Sequence, residues 1–89
     1  MSTPIEMTWH ASQRLQERGA AFDEVEQAVR TGKWQPASHG KWHAAADFPY
    51  NAVSPVNGQF YRWKTVDAVF VEELDRIVVV TVKVYYYNS

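Results

Sequence analysis

The chain has 89 residues, enough for one domain with a small core, and 46% of them are hydrophobic, which argues against wholesale disorder. Nine Lys and Arg against ten Asp and Glu leave a formal net charge of −1. That balance argues against a nucleic-acid binder that works by bulk positive charge, so any RNA reading must rest on a local basic face. There are no cysteines, which excludes disulfides, zinc–thiolate sites and thiol nucleophiles and fits a reducing cytoplasm.

The N-terminal stretch Met1 to Glu6 has neither a basic start nor an apolar run, so it does not read as a signal peptide. The longest apolar run, Ile77 to Tyr87, is interrupted by Thr81 and Lys83 and is too short for a membrane-spanning helix. The expectation is a soluble, cytoplasmic, single domain over 1–89 with no membrane partner. Four Trp and five Tyr are numerous for this length and read mainly as core and rim fillers.

Thr8 is a good N-cap for a helix over 9–18, and Gly19 is a natural stop. Met7, Ala11 and Leu15 form its apolar stripe. At about 100° per residue, Arg18 falls within that apolar stripe, so it should be partly buried and need a carboxylate, a phosphate or backbone carbonyls. A second helix over 22–31 follows a short linker, with Phe22, Val25, Ala28 and Val29 inward, Asp23 and Glu24 in its first turn, and Gly32 at its end.

Beyond Lys33 the texture turns to strand. Candidate strands cover 33–37 and 41–47 with Ser38-His39-Gly40 as the turn, and 49–58 reads as a Pro-, Asn- and Ser-rich loop. A long hairpin follows, with arms at 60–72 and 77–87. In its second arm Val78, Val80, Val82 and Val84 alternate with Thr81, Lys83, Tyr85 and Tyr87, which suggests a valine core face. With Glu73 opposite Arg76, Val69 and Val71 join that face, while Arg62, Lys64, Val66 and Ala68 join Thr81 and Lys83 on the other. The fold class expected is α+β, with two helices on one face of a three- to four-stranded antiparallel sheet.

His10, Arg14 and Arg18 recur at intervals of four and so line one stripe of the first helix. The motif His10-Ala11, Arg14, Arg18-Gly19, the short second helix and the terminal run Ile77-Val78-Val79-Val80-Thr81-Val82-Lys83-Val84-Tyr85-Tyr86-Tyr87 together resemble the domain of unknown function 4258 family of small bacterial proteins. That family in turn resembles the RelE, BrnT and barnase-like group of metal-independent RNases, many of them toxins of toxin–antitoxin pairs. Two departures stand out: Ala21 occupies a position where a small hydroxyl residue often caps the second helix, and the chain is slightly acidic where such toxins are strongly basic.

The resemblance implies an endoribonuclease that needs no cofactor, with RNA as substrate and a cognate antitoxin or other protein as partner. His10, Arg14, Arg18 and Thr81 are its matching positions. Chemically, an imidazole titrating near neutrality can move the 2′-hydroxyl proton, and guanidiniums can hold phosphate oxygens as charge builds on phosphorus. Lys64, Lys83, Tyr61 and Trp63 are the candidate substrate-binding residues on the sheet. The alternative is a non-catalytic module whose exposed sheet face, with Arg62, Trp63, Tyr85 and Tyr87, docks a protein, a nucleic acid or a second copy in a homodimer. His39 and His43 raise a metal question, but no acidic ligand lies at a typical spacing, and no metal is expected.

Overall fold

A computed structural model describes residues 3–89; Met1 and Ser2, which the single-domain reading includes, lie outside the described residues. The elements in chain order are β1 (Ile5–Met7), α1 (Trp9–Arg18), α2 (Phe22–Thr31), β2 (Gln35–Pro36), β3 (Trp42–Val53), β4 (Phe60–Glu72) and β5 (Ile77–Tyr87). They make an α+β fold. Among the described residues one five-stranded sheet has the order β1-β5-β4-β3-β2, and β1 runs parallel to β5 while the other pairings are antiparallel. The sheet is thus mixed and one strand larger than expected.

Both helices and both arms of the long hairpin have the expected bounds, because each carries local punctuation. The Thr8 hydroxyl accepts the Ala11 N–H at 3.1 Å and opens α1; Gly19, at φ 79°, closes it with its N–H on the carbonyls of the last turn. Ala21 provides no hydroxyl for α2, but the Glu24 carboxylate accepts the Ala21 N–H at 2.9 Å, the acidic half of a capping box. His39 (φ 60°) and Gly40 (φ 72°) supply the two left-handed residues of the tight β2–β3 turn. β3 runs on to Val53, beyond the expected boundary near 47. It tolerates Pro49 because that residue sits on the outer side of the strand, where no N–H is needed, and the register shift between Pro49 and Ala52 accommodates Asn51 at φ 51°.

The facing of β4 differs from expectation. Glu73 does oppose Arg76, with a backbone bond of 2.8 Å, but Val69 pairs with Thr81 and Phe70 with Val79, so Val80 is an extra residue in β5. That bulge shifts the alternation by one. Ile77 and Val79 before it and Val82 after it are buried under the helices, and Val84 packs at the margin of the same core. Val78 and Val80 turn away, as do Val69 and Val71, while Lys64, Val66, Ala68 and Phe70 face inward. The core comprises these inward residues with Ala11, Val25, Ala28, Val29 and Ala44. Trp34 closes one end against Phe70, ring centroids 4.8 Å apart. Both helices lie on this one side, α1 along β5 and α2 over β3 and β4, so the other face of the sheet has no covering layer among the described residues. Among the described residues no helix is long and apolar enough to cross a membrane.

Candidate functional site

The basic stripe of α1 is only partly available. His10, at the exposed start of the helix, is free of protein partners among the described residues. Arg14, one turn on, places Nη1 2.6 Å from Glu17 Oε1. Arg18 is half-buried, as its helical angle requires, and donates from Nη1 to the Val82 carbonyl at 2.7 Å. A backbone carbonyl is therefore its partner, whereas Glu73 pairs with Arg76 at 2.8 Å.

Lys64 is not a surface cation. It is 5% exposed and donates from Nζ to Glu24 Oε1 at 2.8 Å and to the Gly19 carbonyl at 2.9 Å, with the Tyr50 ring 5.2 Å away. Tyr86 completes this buried knot. Its hydroxyl donates to the Arg18 carbonyl at 2.5 Å, and its ring lies 5.0 Å from Tyr50 and 5.6 Å from Tyr61. Burial, then the neighbouring Tyr50, pushes the Tyr86 hydroxyl up to about 12. The knot ties the α1–α2 corner to the sheet, and its donors are already satisfied internally. Tyr61 belongs to its rim, with its hydroxyl between Asn57 and Gln59.

Thr81 and Lys83 sit elsewhere. They alternate with buried Val82 and so project from the uncovered face, opposite the helix layer that carries His10, Arg14 and Arg18. The four positions expected to act together are thus divided between the two sides of the sheet, and Lys64 is withdrawn from substrate contact.

The uncovered face has its own organisation. At one end are half-buried Val69, Val71, Val78 and Val80; at the other, Trp63 (39% exposed) and Tyr85 (53%) beside Tyr87. Between them lies a polar band in which Asp67 pairs across β4–β5 with Lys83 and approaches His43 Nδ1 at 3.3 Å, and the Thr65 hydroxyl donates to Asp47 at 2.5 Å. Asp47 and Asp67 did not stand out in the sequence and His43 did so only as a possible metal ligand, because only the β3–β4 register brings the three together. His39 serves the turn, His43 serves this band, and no cluster of three or more potential metal ligands occurs among the described residues. A separate groove of about 400 Å³ lies at the opposite end of the helix layer from Lys64, between Trp34, Arg30 and Glu72.

Comparison of the chain with protein-family models, with curated proteins and with solved structures gives no match, so the family resemblance rests on its motif alone.

Proposed function

We propose that this chain is a non-catalytic protein-docking module that works through the uncovered face of its sheet. The observation that carries the reading is the composition of that face: exposed aromatics at one end, valines at the other, and a polar band of Asp47, Asp67, Lys83 and His43 between them. Aromatic anchors beside paired charges suit a protein surface, whereas a polyanion would meet two carboxylates there. Metal-independent RNA cleavage by a toxin of the RelE type ranks below it. That chemistry needs a base and phosphate ligands in one cleft, and here Arg14 and Arg18 have internal partners while Thr81 lies across the sheet. The proposed place of action is the cytoplasm, in keeping with a cysteine-free chain.

The test is two assays on one preparation. Incubation with total RNA in EDTA should leave the RNA intact, and binding of a protein partner should be lost in Trp63→Ala and in Lys83→Ala while both variants keep the parental circular dichroism. Cleavage leaving 2′,3′-cyclic phosphate ends, abolished by His10→Ala and Arg14→Ala, would establish the nuclease instead.

A further inference from the structure

The two edges of the sheet are protected very differently. On the β3 edge, Gln35 and Pro36 of β2 cover the start, Gly32 packs against the Ala45 backbone, Pro49 lacks an N–H and Asn51 disrupts the register. These are the usual devices that keep a strand edge from pairing. Beyond Val79 the β5 edge carries the bulge at Val80, the charged Lys83 and the Arg18 contact to the Val82 carbonyl, but from Val84 on no covering strand, proline or register break is found among the described residues. β1 pairs only with Ile77, Val78 and Val79, and Thr8 N–H takes the Val79 carbonyl as the chain leaves for α1. From there Val82, Val84 and Tyr86 turn their backbone groups outward, since Thr81, Lys83 and Tyr85 are the residues bonded to β4 in an alternating antiparallel ladder. Arg18 occupies the Val82 carbonyl, and among the described residues nothing occupies the outward amides of Val84 and Tyr86. The run is rich in Val and Tyr, so it has strong strand propensity.

The flank of this edge is basic. Leu15 packs inward on the core, so the opposite side of the α1 stripe turns toward the edge that Arg18 already touches. Arg14 and His10 follow on that side, at about 40° and about 80° round from Arg18. Glu17 offsets part of the Arg14 charge. A second copy of the chain would bring two such basic flanks together across a two-fold axis, which disfavours self-pairing. We infer that the free edge of β5 is a strand-addition site for an extended segment of a partner protein that carries acidic residues at alternate positions, its backbone pairing with Val84 and Tyr86 and with the N–H of Val82, whose carbonyl Arg18 holds, and its carboxylates facing Arg14 and Arg18. Such a segment needs about five residues to span Val82 to Tyr86 at roughly 3.3 Å each. This site is distinct from the uncovered face and stands or falls separately from it.

The probe is a synthetic heptapeptide of alternating Glu and Val, with alternating Lys and Val as control, followed by residue-resolved amide exchange. The Val84 and Tyr86 amides should exchange freely in the chain alone and slow at least about tenfold with the Glu peptide, while Thr81, Lys83 and Tyr85 should be protected throughout. Val84→Pro removes an outward N–H not needed for pairing with β4 and should abolish that protection. Arg14→Glu, on the helix surface, should weaken binding without touching the strand, and it decides the matter if the proline variant does not fold. Equal protection by both peptides, or by neither, overturns the proposal. So does protection that rises with chain concentration alone, which would identify a second copy, or protection conferred by a single-stranded RNA oligomer and not by the Glu peptide.

Discussion

Replacing Lys64 by Met tests the claim that this lysine is a structural fastener. The side chain is 5% exposed and gives up a bond to Glu24 at 2.8 Å and one to the Gly19 carbonyl at 2.9 Å. Removing one partner of a buried ion pair costs about 3–5 kcal/mol. Glu24 keeps a foothold in water and on the Ala21 N–H, so the low end applies, about 3 kcal/mol. The apolar stem of Met fills the space and returns about 1 kcal/mol, leaving a net loss of about 2 kcal/mol. For a domain of this size that lowers Tm by roughly 8–16 °C. Urea unfolding followed by circular dichroism would measure it. With Glu24→Gln as the second variant, the double mutant should lose at least about 1 kcal/mol less than the sum of the single losses, since the two side chains share one interaction. A Lys64→Met loss under about 0.5 kcal/mol, or simple additivity, would mean a solvent-screened pair and refute the reasoning.

Three further outcomes follow from the same geometry. Gly32→Ala puts a Cβ into the Ala28 carbonyl and 2.7 Å from the Ala45 carbonyl, both backbone, so calorimetry should show a loss of about 2 kcal/mol or more. Thr8→Ala removes the α1 cap and should cost about 1 kcal/mol in urea unfolding. Tyr86 is held protonated in the folded chain up to about 12, above its ordinary 10.0, so folding favours the neutral phenol. The Tyr86 contribution to stability should be level below pH 10 and decline between 10 and 12, and Tyr86→Phe should flatten that decline; a Tyr86→Phe chain with an unchanged alkaline slope would contradict the assignment.

What could be read from the residues divides along physical lines. α1, α2 and the arms of the long hairpin carry local signals, Thr8, Gly19, Gly32 and the turn near Asp75, and these set their bounds. The half-burial of Arg18 followed from helical angle alone. The facing of β4 was hidden, because Ile77 to Val80 is uniformly apolar and a bulge at Val80 leaves no mark in such a run. β1 was hidden too, since three residues paired in parallel depend on a partner some seventy positions away. Lys64 looked like a surface cation because nothing local marks a lysine whose carboxylate lies on another element. The division of Thr81 and Lys83 from the α1 stripe depends on that same concealed phase.

The central claim is that a protein partner supplies the layer missing from the uncovered face. A photo-crosslinking side chain placed at Thr65, in the middle of that face, and separately at Gln13, on the outer surface of α1, tests it most directly. One discrete protein adduct is expected from Thr65, competed away by the purified partner and lost in Trp63→Ala, and none from Gln13. An adduct from Gln13 with none from Thr65 would contradict the claim.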